Sequence, residues 1–249
     1  MIHKVKGIVL HHAKYRESSA IVHMYTDQFG RQAYLIHSIR GKKSKYPPNI
    51  LQSLTFLEIE AYHKEGRDLQ KLRELTNYIP YRSIPWDLQK SAQAMFIAEV
   101  LFRVLREEEP NRGLFEFLES SLQLLDVSEE NPANFHLLFL VQLTRFLGFF
   151  PENNYGEDAV AFDMRNGQFG DGTRTHPDFF DRKSSDLLHH LLGKSFSDMG
   201  QITVNQSVRS HFLENLMDYY RLHIQGFGTM KSLPVLQEIF SGEKEKSAG

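Results

Sequence analysis

The short stretch "GFGTMKS", residues 226–232, has the glycines and the lysine of a phosphate-binding loop. It lacks the glycine that should stand directly before Lys231, and it follows a predicted helix rather than a strand. We therefore interpret it as a helix C-cap at Gly226 or Gly228, followed by a short connection to the last helix. A nucleotide site is not predicted here.

Other reactive side chains also have structural explanations. His176, Asp178 and Asp181 in "THPDFFD" have no further ligand at a recognised helical spacing, so a structural loop is favoured over a metal site. Glu99 and Arg103 lie four residues apart in an apolar helical segment, which predicts a buried ion pair rather than an acid catalyst. No nucleophile-and-base motif is present, and we predict no catalytic residue and no enzyme activity.

Positive charge is concentrated at the start of the chain. The first 50 residues contain nine lysines and arginines but only two acidic residues, Glu17 and Asp27. Four of the cations fall in the segment "HSIRGKKSKYPPN", residues 37–49, hereafter the basic segment. Such an excess is typical of a surface that binds a phosphate backbone, although a solvated face is the alternative.

Tyrosines are interleaved with these cations and could stack on unpaired bases, or could simply pack in strands. They are Tyr15, Tyr34 and Tyr46. We predict a DNA-binding surface made of Lys6, Lys14, Arg16, Arg31, Arg40, Lys42, Lys43, Lys45 and Tyr46.

The two parts of the chain differ in charge. Residues 1–82 contain 14 Lys and Arg against 7 Asp and Glu, a net of +7, whereas residues 83–249 have a net of -9. This asymmetry indicates an anionic partner such as nucleic acid for the basic part. The alternative is that opposite charges help two domains to dock.

The periodicity of apolar residues changes near residue 80. Before it, β-branched and aromatic runs predict five short strands, with an apolar face that switches side near Phe56, as at a β-bulge. Five coiled strands predict a small closed barrel of the OB type over residues 1–80. After it, apolar residues at helical spacing predict a helical bundle over residues 81–240, with an irregular insertion around 150–181 and a flexible tail at 241–249. The fold class is thus α+β, an OB-fold barrel followed by helices.

The insertion contains the segment "AVAFDMRNGQFG", which predicts a hairpin turning at Asn166 and Gly167. No apolar run is long enough for a membrane span, and no secretory signal is recognised, so a cytoplasmic protein is expected. The chain has no cysteine, which removes disulfides and thiolate zinc sites.

Several segments together resemble the bacterial recombination mediator family RecO. They are Gly7-Ile8-Val9-Leu10, Tyr15 and Glu17, Thr26 and Gly30, the basic stretch Arg40 to Lys45, "LTRFLGFFPE" and the carboxy-terminal "FLENLMDYYRLHIQGFGTMKSLPVL". Their order and spacing extend the resemblance over nearly the whole chain. It implies an amino-terminal OB domain and a helical carboxy-terminal domain.

The resemblance also implies a function and partners. Members of this family bind single- and double-stranded DNA, anneal complementary strands, bind the acidic carboxy-terminal tail of SSB, and act with RecR to help load RecA in DNA repair and homologous recombination. Such a protein would act in the bacterial cytoplasm and associate with the nucleoid during repair. The alternatives are a protein-interaction scaffold whose barrel binds only a partner protein, and a single-stranded RNA-binding protein.

The chain departs from the family pattern at one place. Many members carry a four-cysteine zinc site after the Leu-Gly-aromatic-x-Pro segment, where this chain has no cysteine. We therefore expect no zinc and no other cofactor, with Phe162, Phe169 and the Asn166-Gly167 turn forming the local fold instead.

Overall fold

The computed structural model describes residues 2–39, 44–47, 49–129, 132–173 and 175–241. These residues form two compact units, Met1–Val127 with Met230–Leu233, and Ser128–Thr229 with Pro234–Gly249. We call them the barrel unit and the helical unit. None of the helices in the described part of the chain combines the length and the apolarity that crossing a membrane would require.

The barrel unit begins with five strands that close into a barrel. They are β1 (Ile2–Tyr15), β2 (Ser19–Thr26), β3 (Gly30–Ile36), β4 (Phe56–Tyr62) and β5 (Leu69–Ile79). Their order is β1-β2-β3-β5-β4, and β1 closes the barrel by pairing with β4 as well as β2. All pairings are antiparallel except that between β3 and β5. The predicted five-stranded OB-type barrel is confirmed.

Alternating side chains fill the barrel. In β1, for example, Val5 is buried while its neighbours Lys4 and Lys6 are exposed. The pairing of β4 with β5 shifts register between Phe56 and Leu57, which is where the sequence predicted that the apolar face would switch. Register also shifts between Glu60 and Ala61 of β4 and between Val9 and His11 of β1, and such irregularities allow a sheet to curl and close.

Two helices follow within the barrel unit, α1 (Leu88–Val104) and α2 (Arg112–Val127). The Asp87 carboxylate accepts a hydrogen bond from the Lys90 amide and so caps the start of α1. At the end of α2, the buried Asp126 carboxylate accepts hydrogen bonds from three consecutive amides, those of residues 82–84, at 2.7–2.9 Å. This carboxylate therefore attaches the segment between the barrel and α1 to α2.

The predicted Glu99–Arg103 ion pair is present, with Nη2 and Oε1 2.8 Å apart. Glu99 also accepts hydrogen bonds from the amides of Lys231 and Ser232, which belong to the short carboxy-terminal segment of the barrel unit. Burial alone would raise the pKa of Glu99, but the hydrogen bonds from Ser232, Lys231 and Arg103 outweigh burial and lower this pKa to about 2. The carboxylate is therefore charged at neutral pH.

The helical unit is built around α3 (Phe135–Leu147), α4 (Arg182–Leu192) and α5 (Gln206–His223), and α6 (Ser232–Ser241) begins in the barrel unit's short segment. Short 3₁₀ turns occupy Pro132–Asn134 and Phe196–Gln201. Helix α3 is buried along nearly its whole length, which accounts for its apolar sequence. The Tyr220 hydroxyl of α5 donates to the Leu140 carbonyl at 2.8 Å and fixes these two helices together.

The predicted hairpin is present as β6 (Ala161–Asp163) and β7 (Gln168–Gly170), and Gly167 in its turn has a φ of 66°. Phe162 and Phe169 are almost fully buried, with ring centroids 5.2 Å apart, and Phe162 also packs on Phe180 at 5.1 Å. The expected residues therefore form the local core of the insertion.

The compact units divide the chain at a different place from the predicted domains 1–80 and 81–240. Residue 80 marks the change from strands to helices, whereas α1 and α2 cluster with the barrel. The predicted tail, residues 241–249, lies outside the described residues except for Ser241, which ends α6.

Candidate nucleic-acid interface

The basic segment is anchored in the barrel at both ends. Ile39 near its start and Ile50 and Leu51 directly after it belong to the buried barrel core. Arg40, Lys42 and Lys43, three of the predicted DNA contacts, lie outside the described residues. The flanks of the basic segment are therefore fixed to the barrel core.

The described part of the basic segment contains the other two predicted contacts. Lys45 is exposed, and its Nζ lies 2.9 Å from Oε1 of Glu74 on β5, a hydrogen bond that raises the pKa of the lysine. Tyr46 is half-buried and packs against the barrel core, while its ring lies 5.7 Å from the Lys45 ammonium. Tyr46 therefore presents only part of its ring to a base.

Lys14 lies near the end of β1 and Arg16 in the turn that follows this strand, and both are exposed. Arg16 has a φ of 55°, and its guanidinium carbon lies 5.3 Å from the centroid of the Tyr15 ring. Tyr15 is itself 37% exposed. Arg16 therefore lies beside an accessible aromatic ring.

Lys6 is exposed on the outer face of β1 and has its ammonium 4.9 Å from the centroid of the Tyr78 ring. Its neighbour on the same face, Lys4, forms an ion pair with Glu58 at 2.8 Å. Lys4 and Lys6 therefore share the outer face of β1, opposite the buried Val5.

The Arg31 side chain forms hydrogen bonds within the barrel unit. Its Nη1 donates to the carbonyls of Phe102 and Leu105 at the end of α1, at 2.7 and 2.9 Å, and the guanidinium lies over the Phe102 ring. Burial lowers the pKa of Arg31, with a smaller contribution from Arg106. Both hydrogens of Nη1 are therefore engaged within the barrel unit.

Tyr34 cannot stack on a base in this structure, so the prediction that it could do so is wrong. The side chain is 1% exposed because residue 34 faces into the barrel. Burial raises the pKa of its phenol well above the usual value. The sequence showed a tyrosine beside cations but not the side of the strand on which it lies.

Carboxylates of β4 and β5 neutralise part of the positive charge. Three ion pairs lie on the outside of the barrel, Lys4–Glu58, Arg73–Glu60 and Lys45–Glu74, at 2.8–3.4 Å. The excess seen in the first 50 residues is therefore smaller on the folded surface. Sequence reasoning also placed no functional residue in the β4–β5 turn, where Lys64, Arg67 and Lys71 line one cavity.

The two rejected ligand sites have structural roles. The amides of Lys231 and Ser232, which a phosphate loop would offer to its ligand, donate to Glu99 instead. Asp181 caps α4, and Asp178 pairs with Arg165 at 2.6 Å. Within the described residues, no three His, Asp or Glu side chains are grouped as a metal site requires.

Comparisons with known proteins agree along nearly the whole chain. The family model described as Recombination protein O N terminal matches residues 1–78, and that described as Recombination protein O C terminal matches residues 86–234. Proteins named DNA repair protein RecO are similar over full length. That of Phocaeicola vulgatus is 37% identical, covering 97% of this chain and 100% of its own. Those of Bacteroides fragilis and Christiangramia forsetii are 38% and 41% identical, each covering 96% of this chain and 100% of its own.

Proposed function

The chain belongs to the RecO family of DNA repair proteins, and from this we propose that it is a recombination mediator rather than an enzyme. In this proposal it binds single- and double-stranded DNA in the bacterial cytoplasm and anneals complementary strands. It binds the carboxy-terminal tail of SSB and acts with RecR to help load RecA onto SSB-coated gaps.

The observation that carries the DNA-binding part is the set of exposed cations on a closed OB-type barrel. Lys6, Lys14 and Arg16 form no ion pair with any carboxylate of the described residues, in contrast to Lys4 and Lys45. Cations that are not paired with a carboxylate can neutralise phosphates and release counterions. Contacts of this kind read the backbone rather than the sequence, which leaves bases free to pair during annealing.

The basic segment provides the first test. Reversing the charge of Lys42, Lys43 and Lys45 to glutamate should weaken binding to single-stranded oligonucleotides of any sequence. The slope of log affinity against log salt should become shallower by about 0.7 for each phosphate that the variant no longer neutralises. Fluorescence anisotropy across a salt series measures both quantities, and strand-annealing rates of the same variant measure the consequence.

A matched control reverses Arg112, Arg182 and Lys183, which changes the net charge equally but lies on α2 and α4. Unchanged affinity and slope in the Lys42, Lys43 and Lys45 variant would show that the basic segment does not contact DNA. No salt-sensitive affinity of the wild-type chain for single strands would favour the protein-interaction scaffold. Competition with RNA oligonucleotides separates the RNA-binding alternative.

The hairpin insertion provides a second test. With no cysteine and an aromatic core around Phe162 and Phe169, the residues present do not fit the four-thiolate zinc site of related proteins. Purified protein should therefore contain far less than one zinc per chain by elemental analysis, and a chelator should leave its thermal midpoint unchanged. Stoichiometric zinc that survives dialysis against a chelator would contradict the expectation.

A further inference from the structure

The turn between β4 and β5 forms a cavity of about 460 Å³ on the barrel unit. Its lining is Tyr62, His63, Lys64, Arg67, Gln70 and Lys71. The volume lies within the range of about 300–1,000 Å³ that is typical of small-ligand sites. The cavity is therefore large enough for a phosphate group together with part of a nucleotide.

A buried side chain holds this turn in place. Gln70 is 2% exposed; its Nε2 donates to the carbonyls of Lys64 and Arg67, both at 2.9 Å, and its Oε1 accepts from the Lys64 amide at 3.0 Å. Three hydrogen bonds thus fix the backbone that carries Lys64 and Arg67. A fixed turn positions charges with less loss of entropy on binding.

The three cations of the cavity differ from other cations of the barrel. Lys64, Arg67 and Lys71 form no ion pair with a carboxylate of the described residues, whereas Lys4, Lys45 and Arg73 elsewhere on the barrel do. Two acidic residues of the same turn, Glu65 and Asp68, are exposed and do not line the cavity. Three cations that line one cavity are therefore left without an ion pair among the described residues.

His63 and Tyr62 add the chemistry of a nucleotide site. The His63 ring stacks on Phe29, with centroids 3.8 Å apart, and its buried Nδ1 has no hydrogen-bond partner within the described residues. Burial lowers the pKa of His63, as does His3, while Glu108 and Glu65 act in the opposite direction. Tyr62 is 48% exposed and pairs across the strands with Lys71, so a ring and a cation lie side by side.

We propose that this cavity binds a phosphate group of the single-strand backbone, with the adjoining base against Tyr62. Several donors converge on one cavity, as the several acceptor oxygens of a phosphate require, and a cation next to an accessible ring is the arrangement that binds unpaired strands. The inference rests on the proposed function and adds a DNA contact that is separate in sequence from the basic segment.

The test is a triple substitution, Lys64→Gln, Arg67→Gln and Lys71→Gln, compared with Arg112→Gln, Arg182→Gln and Lys183→Gln. Binding of an oligothymidylate should fall about 10- to 100-fold in the first variant, and the salt slope should become shallower by about 2. The control variant should keep the affinity and the slope of the wild type. Circular dichroism and thermal midpoints confirm that both variants fold.

The outcomes separate this inference from the proposed function. Salt-sensitive binding by the wild type with the same affinity and slope in the cavity variant overturns the inference and leaves the proposed function standing. No binding by the wild type overturns both. In ¹H–¹⁵N spectra the oligonucleotide should shift the His63 imidazole signals. A shift with inorganic diphosphate but not with the oligonucleotide would assign the cavity to free phosphates and contradict the DNA contact.

Discussion

Replacing Asp126 with alanine should lower the free energy of unfolding by about 3–5 kcal/mol, as removal of one partner from a buried charged network does. The carboxylate is buried and accepts the amide hydrogens of Arg82, Ser83 and Ile84. Its loss leaves these amides without their acceptor and removes a negative charge that acts on Lys90, which is 5% exposed. Urea denaturation followed by circular dichroism measures the change.

A matched control for Asp126→Ala is Glu116→Ala on the same helix. Glu116 is exposed and forms an ion pair with the exposed Arg112, so its loss should cost less than about 1 kcal/mol. Equal losses for the two variants would show that the buried carboxylate does not hold the segment between the barrel and α1.

The Asp126 effect should depend on pH. Burial alone would raise the pKa of Asp126, but hydrogen bonds from the amides of Arg82, Ile84 and Ser83 and the charge of Lys90 outweigh burial and lower it. A lowered pKa in the folded state stabilises the protein above the unfolded value of about 3.9, and this stabilisation is lost as the pH falls through the folded pKa. The difference in free energy of unfolding between wild type and Asp126→Ala should therefore be constant near neutral pH and should become smaller below about pH 4. A difference that widens in acid would contradict this account.

The second large effect is expected for Gly30→Ala at the start of β3. Gly30 has a φ of 55°, and a Cβ there would lie 2.6 Å from the Glu109 carbonyl oxygen and 2.8 Å from that of Glu107. Alanine should cost about 3–5 kcal/mol, because it combines a strained backbone conformation with displacement of the chain that follows α1. Thermal or urea unfolding measures the loss.

Gly66→Ala is the control for Gly30→Ala. Gly66 also has a positive φ, of 72°, but none of the described atoms lies within 4 Å of the position that a Cβ would take there. Its substitution should cost about 1–2 kcal/mol, the backbone strain alone. The difference between the two losses of free energy of unfolding measures the effect of the close contact at Gly30. Equal losses would show that the chain after α1 moves away from a Cβ at residue 30 without a cost in stability.

The barrel could be predicted from sequence because its signal is local. Alternation in β1 and the switch of the apolar face near Phe56 are both properties of consecutive residues, and both recur in the strand pairing. The register shift between Val9 and His11 was not predicted, because Ile8, Val9 and Leu10 form a continuous apolar run that shows no change of phase.

The surface was less predictable because charge pairing is a property of the fold. Lys45 forms a hydrogen bond with Glu74, which is 29 residues away in sequence, and Arg31 donates to the carbonyl of Phe102, which is 71 residues away. No local pattern indicates either contact. The β4–β5 cavity was missed for a similar reason, since its cations alternate with Glu65 and Asp68 in sequence and separate from them only in the folded turn.

The segment Met230–Leu233, which Glu99 binds through the amides of Lys231 and Ser232, has a consequence for biosynthesis. Residues that complete the barrel unit are translated only after nearly the whole helical unit. At about 5–20 residues per second, the partners of Glu99 leave the ribosome on the order of ten seconds after the end of α2. The Glu99 carboxylate contacts Arg103, Lys231 and Ser232 in the folded protein. During that interval only Arg103 of these three has been synthesised, so the nascent barrel unit has only this partner for Glu99. A fragment that stops at Val127 would remain permanently in that state.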